Sequence, residues 1–177
     1  MNPLELPLFV PVMLVVTVLA IVGAGPVVRA TGARRAVAVA LVLAAGVVVA
    51  ATLTPQSSAL VDGEAGSGAC NMGRLWPAAP WTYLVFGEVL GNVLLFMPLG
   101  VALALVPASA ARNWLLLAAI ASPFLVEAAQ LLLPAFDRAC ESADVIDNLL
   151  GLGIGLLLGW AADRSLGRRL STPPSHT

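Results

Sequence analysis

The chain has 177 residues, 59% of them hydrophobic and 11% charged, with a formal net charge of -1. A chain of this size cannot hide so much apolar surface in a water-soluble fold, which excludes the soluble globular classes. Every basic residue is arginine and there is no basic surplus, so no nucleic-acid partner is expected.

The apolar runs 8–28, 36–53, 86–106, 114–133 and 145–162 are each close to the ~20 residues that a spanning helix requires. They predict an all-α, polytopic membrane bundle of about five transmembrane helices. Arg29, Arg34 and Arg35 join the first two runs, Arg112 joins the third and fourth, and Arg164, Arg168 and Arg169 follow the fifth. By the positive-inside rule these seven face the cytoplasm, while Arg74 and Arg138 lie outside among Asp62, Glu64, Asp137 and Glu141. The expected topology is a multi-pass plasma-membrane protein with its N-terminus outside and its C-terminus cytoplasmic. Three segments result: 1–35 is a first helix with a basic cytoplasmic loop, 36–162 the main transmembrane domain, and 163–177 a basic cytoplasmic tail.

Residues 1–7 carry Glu5 and no basic residue, so the first helix reads as a retained anchor; the alternative is a short signal peptide. Cys70 and Cys140 both fall on the outer side, where an oxidising compartment favours a bridge over two free thiols. The long connection 54–85 is rich in Gly, Pro, Ser and Ala and ends with Trp76, Trp81 and Tyr83, aromatics suited to a membrane interface. It reads as a lid or re-entrant segment, or equally as an exposed loop. Residues 171–177 are expected to be a disordered tail, with the lone His176 solvated there.

The third run opens with Glu88 and Asn92, four apart and on one helix face, before Pro98 interrupts the hydrogen-bond ladder at the Leu94 carbonyl. The fourth places Glu127 four residues after Pro123 and three before Gln130; at ~1.5 Å per residue Glu127 lies about 9 Å inside the apolar boundary, deep for an idle carboxylate. The fifth begins with Asp144, read as an N-cap, and Asp147, favoured at the positive end of the helix dipole. Asn148 needs a partner in the bundle, with Asn92 or Glu127 as candidates. Gly151, Gly155 and Gly159 recur every four residues, the spacing that lets two membrane helices approach closely. Glu127 and Arg138 have opposite charges at the same end and are expected to be mutual partners.

The run Asn92-Val93-Leu94-Leu95-Phe96-Met97-Pro98-Leu99-Gly100 resembles the first signature of the VanZ-like membrane protein family. The more specific second signature is resembled by Glu127-x-x-Gln130, then Arg138-x-x-Glu141-x-x-Asp144-x-x-x-Asn148-x-x-Gly151-x-x-x-Gly155, and Thr52-Leu53-Thr54-Pro55 resembles the way the family's preceding helix ends. The resemblance spans about 42–160 and departs from the pattern at Glu141, where Asp is commoner, and at Asp147, an added carboxylate. It implies a small bacterial envelope protein, one of whose namesakes is associated with reduced susceptibility to the lipoglycopeptide teicoplanin, and it implies no settled reaction.

Three functional classes follow. In the first, a non-catalytic factor binds membrane lipids, a lipid-linked cell-wall precursor or a related amphiphile in an outer-leaflet polar pocket formed by Glu88, Asn92, Glu127, Gln130, Arg138, Asp144 and Asn148, with Arg138 contacting an anionic group. On that reading Glu127→Gln and Arg138→Ala leave stability close to unchanged while lipoglycopeptide tolerance is lost. The second class is a membrane-embedded enzyme using Glu127 or Asp144 as acid or base on a lipid; the sequence shows no nucleophile, metal triad or phosphate loop to complete it. A proton-coupled transporter is the third, although the buried carboxylates stop in the outer third. A purely structural role, in which the polar groups tie helices together, stands beside all three. No cofactor and no metal is expected.

Overall fold

The computed structural model describes residues 8–63 and 65–171. The expectations for residues 1–7, Glu64 and 172–177, His176 included, lie outside the described residues. The chain forms helices α1 (Phe9–Thr31), α2 (Arg35–Leu53), a short α3 (Ser57–Val61), α4 (Glu88–Ala104), α5 (Ala110–Leu132) and α6 (Ser142–Ser171), with two-residue strands β1 (Cys70–Asn71) and β2 (Cys140–Glu141). The protein is an all-α membrane bundle.

Local chemistry sets the helix ends. Gly32 closes α1 with φ 69° and returns its N–H to the Val28 carbonyl at 2.8 Å, a left-handed cap that glycine adopts without steric cost. Ser109 opens α5 by accepting the Arg112 N–H on its hydroxyl at 3.1 Å. Pro123 interrupts α5 and leaves the Ala119 carbonyl without its helical donor. The Ser122 hydroxyl supplies a replacement at 2.8 Å, the local repair that makes proline tolerable in a membrane helix.

Four helices are long and apolar enough to span a bilayer, α1, α2, α5 and α6. The expected fifth span, 86–106, is shorter: α4 has 17 residues, and at ~1.5 Å per residue it covers about 25 Å. It starts at Glu88 because Gly87 is extended, and it ends before the loop that carries Pro107.

Helices α4 and α6 form the tightest contact. A Cβ at Gly151, Gly155 or Gly159 would overlap the backbone at Val93, Met97 or Val101, and one at Gly100 would overlap Leu152 and Gly155. Contacts ascend together along both helices, so α4 and α6 run parallel with their backbones touching, and the four-residue glycine spacing is the cause. Around this seam Phe96, Leu99, Leu103 and Leu152 pack with Leu41, Ala44 and Val48 of α2 and Ala119 of α5. Helix α1 packs on α2, and Leu14, Val18 and Val22 remain exposed along its outer side, as lipid-facing residues are.

The connections put Arg29, Arg34, Arg35, Arg112 and Arg164 at one end of the bundle, where α1 and α4 finish and α2 and α5 begin. Arg74 and Arg138 are at the other. There the long connection is neither a loose loop nor a re-entrant helix: it is a strap. A Cys70–Cys140 disulfide joins it to the segment before α6, and β1 pairs in parallel with β2 at the same residues. Gly66 donates its N–H to the Pro134 carbonyl at 2.7 Å and Gln56 to Phe136 at 3.2 Å, while Ser58 hydrogen-bonds the Asp137 carboxylate.

Candidate functional site

The strap end gathers the second half of α5, the first turns of α6 and the start of α4. Helix α6 begins at Ser142, so Asp144 sits in its first turn and is not the N-cap that the sequence predicts; the paired strand carries the chain straight into the helix, which therefore starts earlier. Asp147 is fully buried. Its carboxylate forms an ion pair with Arg74 of the strap and accepts a hydrogen bond from the Tyr83 hydroxyl at 2.9 Å. Arg74 also donates to the Trp76 and Ala143 carbonyls, at 3.0 and 3.5 Å. The hydrogen bond to Asp147 raises the Arg74 pKa above its ordinary value, whereas burial is the main cause raising that of Tyr83. The strap is thus held by a disulfide and a charged clasp, and the Ser142 hydroxyl adds a third tie to the Arg74 carbonyl at 2.8 Å.

Glu127 and Arg138 do not pair. The ion pair at this end joins Arg74 to Asp147. Arg138 instead turns Nη2 to the Ala51 and Thr54 carbonyls at 3.0 and 3.1 Å, and Nε to Thr54 at 3.3 Å. The reason lies in the sequence of α2: Pro55 has no N–H to give the Ala51 carbonyl four residues back, and Arg138 supplies the missing donor. Gln130 completes the cap, donating from Nε2 to the Thr52 carbonyl at 3.1 Å. Burial lowers the Arg138 pKa. These two candidate residues tie α2 to the strap end.

Glu127 is 6% exposed and accepts the Glu141 N–H on Oε2 at 2.7 Å, a contact that follows directly from the Cys140–Glu141 strand leading into α6. Its carboxylate is within the electrostatic reach of Asp144 and Glu141, and Asp144 within that of Glu88, Asp147 and Arg74. Glu88 is exposed at the start of α4, and Asn92 is half-buried one turn further. Asn148 is 1% exposed, and its Oδ1 has no hydrogen-bond donor, neither Asn92 nor Glu127; the Gln130 Oε1 is likewise unpartnered. No three His, Cys, Asp or Glu side chains among the described residues converge as metal ligands.

Beside Glu127 lies a cavity of about 290 Å³ between α5, α6 and the strap. Phe124, Val145, Ile146, Leu149, Met72 and Leu75 form most of its wall, and Glu127 and Ser142 are the polar exceptions. Phe124, Met72 and Leu75 are more than half exposed, so the cavity opens to the protein surface past apolar side chains. A larger hollow of about 560 Å³ between α2 and α4, among Ala40, Met97, Val101 and Leu105, has no charged or hydrogen-bonding side chain in its lining and offers no chemistry.

Arg74 and Tyr83 are not among the candidate site residues, and Asp147, singled out from the sequence as an added carboxylate, has no partner assigned there. Their signal was present: Arg74 is one of two arginines on this side of the chain, and Asp147 is a carboxylate inside an apolar run that requires a compensating charge. The sequence model of the VanZ/LLP1 family matches residues 37–163. No curated protein and no solved structure matches the chain.

Proposed function

The chain belongs to the VanZ/LLP1 family, and from this starting point we propose that it is a non-catalytic factor of the bacterial envelope whose cavity beside Glu127 holds the head of a membrane amphiphile. The amphiphile is a lipid or a lipid-linked wall precursor of the outer leaflet, with the protein in the plasma membrane, its N-terminus outside and its C-terminus cytoplasmic. The observation that supports this reading is the placement of a buried carboxylate in the wall of a cavity whose mouth is lined by the exposed apolar side chains of Phe124, Met72 and Leu75. A carboxylate at that depth with one backbone donor is costly to maintain without a function. Glu88, Asn92, Asp144 and Asn148 shape the polar end around it, and Gln130 and Arg138 act by holding α2 in place. Tolerance to the lipoglycopeptide teicoplanin, associated with one namesake of the family, is the phenotype proposed for this site.

A membrane-embedded enzyme is the second reading, favoured by the mutual electrostatic reach of Glu127 and Asp144, which would serve as acid and base. The test is native mass spectrometry of the purified protein. The expected result is a retained amphiphile in wild type that disappears when Leu149→Trp fills the cavity, with loss of any tolerance phenotype in a host lacking the gene. No retained amphiphile in either protein sinks the binding reading; turnover of the retained lipid selects the enzymatic one.

A further inference from the structure

The chemistry of the cavity wall restricts what kind of head group it takes. Glu127 presents a carboxylate, of which Oε2 already accepts the Glu141 N–H. The Ser142 hydroxyl spends its proton on the Arg74 and Asn71 carbonyls, at 2.8 and 3.3 Å, so toward the cavity it offers only lone pairs. With Glu127 ionised, both polar side chains in the wall are therefore acceptors. The two arginines nearby are directed elsewhere: Arg74 clasps Asp147, and Arg138 turns to the end of α2. Neither lines the cavity. Glu141, Asp144 and Glu88 add negative charge around the same end.

We infer that this cavity selects amphiphiles with a hydrogen-bond-donating ammonium head over those with an anionic head, Glu127 pairing with the ammonium and the apolar chain leaving past Phe124 and Leu75 into the bilayer. This rests on the amphiphile-binding reading above and names the class of ligand. A cavity of about 290 Å³ is at the small end of ligand sites, ~300–1,000 Å³, so it accommodates a compact head and its first methylenes and leaves the tail to the membrane. An ammonium matches in three respects: it only donates, it compensates the buried carboxylate, and its size suits a site with two acceptors. A phosphate or carboxylate head would meet acceptors alone, which leaves its own lone pairs unsatisfied beside like charge.

The experiment uses the full chain in a neutral detergent. Dodecylamine, dodecanol and dodecanoate, which share one tail, are titrated by native mass spectrometry, and phosphatidylethanolamine is competed against phosphatidylglycerol of identical chains. Dodecylamine is expected to bind about tenfold tighter than dodecanol, the margin of a hydrogen-bonded ion pair over a hydrogen bond from a neutral donor to the same carboxylate, with dodecanoate weakest. Glu127→Gln keeps an acceptor for the Glu141 N–H and is expected to erase the preference for amine, bringing dodecylamine to the affinity of dodecanol. A matching preference for phosphatidylethanolamine identifies the source as a lipid head group; preference for dodecylamine alone identifies a free amphiphilic amine. Equal binding of amine and carboxylate overturns the inference while leaving amphiphile binding intact, and so does an amine preference that survives Glu127→Gln. Binding of none of the probes removes the amphiphile reading itself. If Glu127→Gln fails to fold, the ranking of the three heads on the wild-type protein still decides.

Discussion

Arg74 and Asp147 stand 73 residues apart in the chain and meet as a bidentate ion pair, with the aspartate fully buried and the arginine side chain 21% exposed. The pair closes the strap over α6 and places a positive charge where an isolated buried carboxylate would be untenable. Removing only one partner leaves the other charge uncompensated. Arg74→Ala is expected to cost about 3 kcal/mol, the low end for breaking a buried pair because the arginine is partly solvated. Joint replacement by leucines is expected to cost clearly less than the sum of the single changes, read as a coupling in a double-mutant cycle of thermal stability in detergent. Additive losses would show that the pair contributes nothing to holding the strap.

Two glycines of one helix separate packing from propensity. Gly155→Val places side-chain atoms in the Met97 backbone of α4, and no rotamer relieves that overlap. The loss is expected to exceed the ~1–3 kcal/mol of ordinary overpacking and to abolish the folded protein on size exclusion. Gly153→Ala meets nothing within 4 Å and should hold or raise the melting temperature, since alanine is favoured over glycine in a helix by about 0.5–1 kcal/mol. Similar behaviour of the two variants would contradict the parallel α4–α6 seam.

The disulfide closes a loop of sequence separation 70 that contains α4 and α5. Non-reducing peptide mapping should recover the Cys70–Cys140 link. Replacing both cysteines with serine is expected to cost at most about 4 kcal/mol, the chain-entropy value for a loop of this length, and less where the membrane already confines the intervening helices. Two thiols freely alkylated without reductant would contradict the bridge.

Arg138→Ala and Glu127→Gln, alike in expectation from sequence, are predicted to diverge. Arg138 supplies the donor that Pro55 denies to the Ala51 carbonyl and also caps the Thr54 carbonyl, so its loss is expected to cost about 1–3 kcal/mol through unsatisfied carbonyls, a drop visible in thermal unfolding. Glu127→Gln should stay near wild-type stability. Equal melting temperatures for wild type and Arg138→Ala would return Arg138 to the ligand.

A cytoplasmic reporter signal is expected from fusions after Arg169 and an external one from insertions near Gly66, because five arginines with described side chains collect at one end of the bundle. The reverse pattern would move the cavity to the cytoplasmic leaflet.

The membrane class, the apolar helices and the close approach built by Gly151, Gly155 and Gly159 were legible in the sequence, because hydropathy and helical periodicity act over a few turns and need no tertiary partner. So was the meeting of Cys70 and Cys140, which the arginine distribution puts at the same end of the bundle. Partner choice was not legible. Opposite charge at one end pairs Glu127 with Arg138 in the sequence, yet Arg138 goes to the free carbonyls at the end of α2, Glu127 to the Glu141 N–H, and the buried charge of Asp147 to Arg74 of the strap. Each of those outcomes depends on where the strap crosses the helix ends, a matter of long-range packing and of which polar group would otherwise be left unsatisfied in a low-dielectric interior. The tertiary structure decided that competition among donors, and with it which of the family's polar residues border the cavity and which hold the bundle together.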